Sequence, residues 1–140
     1  MIIPGRIRAL VVDDNAYARG IAGASLKKLG VTEISEAGGG AEAILQLQRV
    51  HFDVMLMDWY MPDISGAGIM SVLRDPRFGA NTGLKVILMT AYASRDNVLR
   101  ARQLGVDEVL VKPFTTEQLG VALGRVMSAT AEAGENEVFL

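Results

Sequence analysis

The chain has 140 residues, of which half are hydrophobic and 21% charged; it carries one histidine, no cysteine and a formal net charge of −2. That balance belongs to one compact folded domain rather than a disordered segment. It excludes disulfides, zinc–thiolate sites and thiol catalysis, and the scattered Lys and Arg leave no basic stripe for a nucleic-acid backbone.

Short apolar runs alternate with segments of helical period. The opening MIIPGRIRAL is too short, and too broken by Pro4 and Gly5, for a signal peptide, and no apolar run approaches a membrane span, so a cytoplasmic protein is expected. ALVV at 9–12 reads as the first strand and ends on Asp13 and Asp14; a helix is expected over 15–29, stopping at Gly30. The weaker run EISE at 33–36 leads into Gly38-Gly39-Gly40 and a second helix from Ala41 to about Val50. These glycines do not fit a dinucleotide fingerprint, and Glu42 would repel an anion, so they read as a flexible strand-to-helix turn. His51, alone of its kind, reads as surface decoration.

VMLM at 54–57 ends on Asp58, and a third helix is expected over 67–74 before Asp75-Pro76. VILM at 86–89 ends on Thr90, with a fourth helix over 95–104 capped by Ser94 and ended by Gly105. EVLV at 108–111 ends on Lys112. The last helix is expected from Thr116 to about Ala129, opened by Thr115 with Gln118 as a capping box, with Leu119, Leu123 and Val126 as its apolar stripe. Gly120 and Gly124 on that helix leave room for a close neighbour. The domain is expected to span 1–127, with 128–140 a flexible tail.

Continuous apolar runs of four or so residues are what strands covered on both faces show. Five strand–helix units predict an α/β fold, a doubly wound parallel sheet with helices on both faces. In such a sheet all carboxyl ends of the strands share one edge, where ligands collect. Asp13, Asp14, Asp58, Thr90 and Lys112 are thereby brought together. Singly, each has a plain explanation: the Asp pair as helix caps, Thr90 and Lys112 as ordinary strand ends. Jointly, three acids beside a hydroxyl and an ammonium point to a shared ligand.

Clustered carboxylates repel unless a cation neutralises them, and an all-oxygen set suits Mg²⁺, completed by phosphate oxygens. Lys112 and Thr90 then serve as phosphate ligands. No stretch matches a nucleotide-binding P-loop, so the phosphoryl group is expected on the protein itself, with Asp58 as the nucleophile.

The stretches VVDDN, LMDWYMPDISG, LMTAYAS and VKPF, in this order and each at a strand end, resemble the receiver domains of two-component response regulators, the CheY-like family, over residues 6–127. The resemblance implies a five-stranded sheet in the order 2-1-3-4-5. It also implies phosphotransfer to Asp58 from a histidine kinase or histidine phosphotransfer protein. Metal ligation would come from Asp13, Asp14, Asp58 and the backbone carbonyl of Tyr60, and the Lys112–Pro113 bond would be cis. A stand-alone receiver, monomeric or weakly dimeric, would then bind its protein target through the face of the last two helices and last strand. It would act on no separate substrate, so it is not expected to be an enzyme beyond this self-phosphotransfer and slow loss of the group.

Two departures from the family pattern stand out. Where an aromatic switch residue is usual, three before Lys112, this chain has Val109. At the two positions that govern phosphate lifetime it has Tyr60 and Tyr92, which predicts slow self-dephosphorylation, while the small Ala91 keeps access open for a donor. Val109 and the two tyrosines also support an alternative, a receiver-like interaction module independent of phosphorylation. An aspartyl-phosphate hydrolase is disfavoured, because the second acid such enzymes carry would stand at Tyr60.

Overall fold

The computed structural model describes residues 3–139, with side chains described for 3–128. Five parallel strands, β1 Arg8–Val12, β2 Glu33–Ala37, β3 Val54–Asp58, β4 Lys85–Thr90 and β5 Glu108–Val111, form one sheet in the order β2-β1-β3-β4-β5. Between and after them run α1 Ala16–Lys28, α2 Gly40–Arg49, α3 Gly66–Leu73, α4 Arg95–Gln103 and α5 Thr116–Phe139. This is the fold expected from the alternation of apolar runs and helical segments.

The sheet buries both faces, and the side-chain alternation of each strand decides which face a residue serves. On β1, Leu10 and Val12 join Met55, Met57 and Leu88 beneath Ala43 and Leu47 of α2 and Ile69 and Leu73 of α3. Ala9 and Val11 turn the other way and join Leu56, Ile87 and Met89 beneath Leu26 of α1 and Leu119 and Leu123 of α5. Two cores thus clamp the three central strands and leave polar residues at their carboxyl ends.

Local chemistry sets the helix ends. Asn15 caps α1, its side chain accepting the Ala18 amide at 3.0 Å. The expected cap at Ser94 forms with Asn97. The capping box of α5 is reciprocal: Gln118 N–H donates to Thr115 Oγ1 at 3.1 Å and Thr115 N–H to Gln118 Oε1 at 2.9 Å. Gly30 and Gly105 close α1 and α4 with φ of 94° and 100°, a backbone region that favours glycine. A Cβ on Gly120 would lie 3.1 Å from Leu29 Cδ2, so that glycine lets α5 lie close against the end of α1.

One boundary differs from expectation. Helix α5, expected to end near Ala129 with a tail from 128, continues to Phe139; the Ala and Glu residues that recur in this stretch are good helix formers. The tail residues Glu137–Leu140 otherwise lie outside the described side chains.

A buried polar residue holds the sheet's amino-terminal edge. Asn81 is 1% exposed; its amide donates to the carbonyls of Leu47 and Val50, both at 2.6 Å, and its oxygen accepts the Phe52 amide at 2.9 Å. It thereby ties the end of α2 and the entry to β3 to the loop before β4. Replacing it with alanine leaves one buried donor and two acceptors without partners, and Asn81→Ala is expected to lower stability by about 2–3 kcal/mol in urea unfolding monitored by circular dichroism.

Candidate functional site

The register of the sheet dictates what meets at its carboxyl edge. Val12 pairs with Met57 and Ala37, Asp58 with Met89, and Thr90 with Val111. Asp13 therefore leaves β1 beside Asp58, and Lys112 leaves β5 beside Thr90. Two backbone bonds extend the ladder past the strand ends, from Asp13 N–H to Ala37 O at 3.2 Å and from Lys112 N–H to Thr90 O at 2.8 Å. The chain is thus still in register where its functional side chains emerge.

Asp13, Asp14 and Asp58 each place a carboxylate oxygen within 4.8 Å of the others. Asp13 is buried and Asp14 exposed. Neither caps α1, since that role falls to Asn15; Asp13 Oδ1 instead accepts the Asn15 amide at 2.9 Å. Lys112 Nζ lies 2.8 Å from Asp13 Oδ2 and 3.7 Å from Asp58 Oδ1. Three carboxylates against one ammonium leave the pocket negative.

Asp58 registers that balance. Burial pushes its carboxyl above the ordinary value; Lys112 and the Trp59 amide, 2.9 Å from Oδ1, oppose the rise, while Asp13 and Asp14 add to it. Thr90, 4% exposed, accepts the Tyr92 amide at 3.0 Å through Oγ1, which leaves its hydroxyl proton to donate. The Lys112–Pro113 peptide bond is cis, the geometry the resemblance implied.

The remaining predicted residues surround this centre. Tyr60 and Tyr92, both exposed, meet edge to face with ring centroids 5.9 Å apart and an interplanar angle of 82°. With Trp59, Thr90, Asn97 and Arg100 they line a cleft beside the acids. Ala91 is exposed at its edge. Val109 is half-buried and packs against the core beneath α2 and α3. His51 is exposed, 3.6 Å from Asp53 and apart from the acids.

Three participants were not legible in the sequence. Arg19 donates to the Asp13 carbonyl at 2.7 Å and pairs with Glu36, bracing the turn that carries the acid pair. Asn97 donates to Tyr92 O at 3.0 Å. Asp63 accepts the amides of Gly40 and Ala41, both at 3.0 Å, and with that of Ile64 these hold its carboxyl down at about 2. The three-glycine turn is accordingly not a phosphate cradle: the Gly38 amide donates to Glu42 Oε2 at 2.9 Å, and Asp63 takes the amides of Gly40 and Ala41. A glycine at the cap position of α2, with no side chain to receive an amide, was the one sequence signal that some other residue must do so.

An acidic pocket at the carboxyl edge of a doubly wound sheet, faced by a lysine and a buried hydroxyl, has the all-oxygen donor set that suits a hard divalent cation. Sequence comparison gives the same class. Residues 9–123 match the model of the response regulator receiver domain, and the chain belongs to that family. It is 37% identical over 114 residues to the chemotaxis protein CheY of Pseudomonas aeruginosa, covering 81% of this chain and 90% of that one. To a probable CheY of Rhizobium etli it is 33% identical, covering 92% and 98%.

Solved structures agree. Vibrio cholerae CheY4 superposes with a TM-score of 0.78 at 28% identity, covering 86% of this chain and 98% of that one. The receiver domain of a Pseudomonas aeruginosa sensor histidine kinase, described with a magnesium ion coordinated in its active-site cleft, gives 0.77 at 26% identity, covering 87% and 98%. Among the described residues no helix is long and apolar enough to cross a membrane.

The raised carboxyl of Asp58 has a sign that can be measured. The folded state holds this proton more tightly than the unfolded chain, so stability is lost as pH rises from the ordinary 3.8 through the folded value, and above it the ionised group opposes folding. In chelator at neutral pH, Asp58→Asn is expected to melt at a higher temperature than wild type, and the gap should narrow below the ordinary value. Equal melting temperatures at neutral pH would contradict this electrostatic account.

Proposed function

We propose that the chain is a response regulator receiver whose Asp58 accepts a phosphoryl group from a phosphohistidine donor, a histidine kinase or histidine phosphotransfer protein, and which signals through protein contacts. The observation that carries this reading is the convergence of Asp13, Asp14 and Asp58 with Lys112 and the buried Thr90 at one sheet edge. An all-oxygen acidic set with net negative charge fits Mg²⁺, held by the three acids and, by family resemblance, the Tyr60 carbonyl. When bound, the ion neutralises carboxylate and phosphoryl charge.

The chain's own groups do the rest. A carboxylate oxygen of Asp58 attacks phosphorus, the P–N bond of the donor breaks with its electron pair left on the imidazole nitrogen, and an acyl phosphate forms. Lys112 offers its ammonium to one phosphoryl oxygen and Thr90 its hydroxyl proton to another. Ala91, without bulk, leaves the approach open to the donor. No separate substrate is turned over.

The target face proposed is α4-β5-α5. There Val109, Val111 and Val121 floor a groove flanked by Glu117 and by Arg125, which lies 3.8 Å from Glu108. One observation favours a second reading, an interaction module that does not use phosphorylation as its switch: Val109 is already half-buried in the core and has no ring to move inward.

The two readings separate on incubation with Mg²⁺ and acetyl phosphate, followed by intact mass. Wild type is expected to gain one phosphoryl group and Asp58→Ala none; an unmodified wild type that still binds Mg²⁺ would favour the silent module. In the phosphorylated protein the Tyr60–Tyr92 pair hinders the approach of water in line with the P–O bond. Tyr60→Asn and Tyr92→Ala are each expected to shorten the phosphoryl lifetime several-fold in a phosphate-release assay, and an unchanged lifetime in both would remove the aromatic pair from that role.

A further inference from the structure

Helix α2 lacks a cap of its own. Its N-cap is Gly39, which makes no side-chain bond, yet the first amides of a helix need acceptors. The acceptor comes from the loop between β3 and α3, which begins at the phosphoacceptor. Asp63 lays Oδ1 on the Gly40 amide and Oδ2 on the Ala41 amide, both at 3.0 Å. A Cβ on Gly39 would lie 3.0 Å from Asp63 Oδ2, so the carboxylate fills the place an ordinary cap side chain would take. Gly40 permits the approach: a Cβ there would lie 2.6 Å from Ile64 Cβ and 2.9 Å from Ile64 O.

The same loop is closed at its other end. Gly66 N–H donates to Trp59 O at 2.8 Å, and a Cβ on Gly66 would lie 2.5 Å from Trp59 Cε3. Residues 59–65 are therefore held between the Trp59–Gly66 closure and the Asp63 bridge to α2, and Tyr60 lies between these two anchors.

We propose that Asp63 is a positioning residue for the site: by capping α2 from the β3–α3 loop, it fixes the path of the segment that carries Tyr60 and so readies the metal site beside Asp58. The role in metal binding rests on the receiver reading above; the latch itself does not. Glu42 supplies the control, since it takes an amide of the same turn, that of Gly38, from within α2 itself. Loss of either carboxylate weakens the start of α2, but of the two acids Asp63 is the one that lies on the loop carrying Tyr60.

The test compares Asp63→Ala, Asp63→Asn and Glu42→Ala in the full chain with two readouts, each variant's fold being checked by thermal unfolding. Amide hydrogen exchange without divalent ion is expected to quicken several-fold at Trp59 and Gly66 in Asp63→Ala and to stay at the wild-type rate in Glu42→Ala. Titration with Mg²⁺, followed by the emission of the single tryptophan, Trp59, is expected to show about a tenfold weaker affinity in Asp63→Ala, at the lower limit for groups that orient metal ligands. Asp63→Asn, which keeps one acceptor oxygen, is expected to fall between.

Wild-type behaviour of Asp63→Ala in both readouts, or equal effects from Glu42→Ala, would overturn the proposal. A wild type that takes up no Mg²⁺ would defeat the receiver reading and with it the metal-site role, while exchange would still decide whether the latch holds the loop.

Discussion

Three carboxylates within 4.8 Å of one another form the constraint around which the carboxyl edge of this sheet is arranged. Each like-charged pair at such a distance repels by about 3–4 kcal/mol at an effective dielectric near 20, before solvent screening reduces the share of the exposed Asp14. No compact fold gathers such groups for stability's sake. The Lys112 ammonium, 2.8 Å from Asp13, offsets part of the repulsion, and burial and neighbouring acids still keep the Asp58 carboxyl raised. The sheet withstands this because its two cores are apolar and continuous: Val11, Val12, Leu56, Met57, Ile87 and Met89 are all essentially inaccessible. The stable interior and the strained edge divide one structure between folding and ligand binding.

That division explains what could be read from the sequence. Strands buried on both faces must be apolar along their whole length, so ALVV, VMLM and VILM announced themselves, and a polar residue at the end of each was visible as a departure. The edge strand β2, with only Ala37 fully buried, gave a weak signal for the same reason. Ser94 and the Thr115–Gln118 box were legible because a cap and the amide it receives lie within three residues.

Asp63 was not legible, because its partners Gly40 and Ala41 stand 23 and 22 residues away and only the crossing of two loops brings them together. That Asn15, rather than either acid of the preceding pair, caps α1 was hidden for a related reason. Either side chain can accept an amide in the first turn, and only the backbone path of the loop decides which one does.

The absence of a ring at Val109 moves attention to the hydrogen bonds that Thr90 already makes. Its oxygen accepts the Tyr92 amide, and the Tyr92 carbonyl accepts from Asn97 in the first turn of α4. Thr90, the aromatic pair and the start of α4 are therefore one connected unit, and on the receiver reading any turn of the Thr90 hydroxyl toward a phosphoryl oxygen acts on Tyr92 first. A two-state element needs two packings of similar energy. The exposed Tyr92 ring, held to Tyr60 by an edge contact worth about 1 kcal/mol, is easier to repack than Val109, which is fixed by the core around it. On the receiver reading, Tyr92, bonded through its backbone to both Thr90 and Asn97, lies on the hydrogen-bonded path from the site to α4.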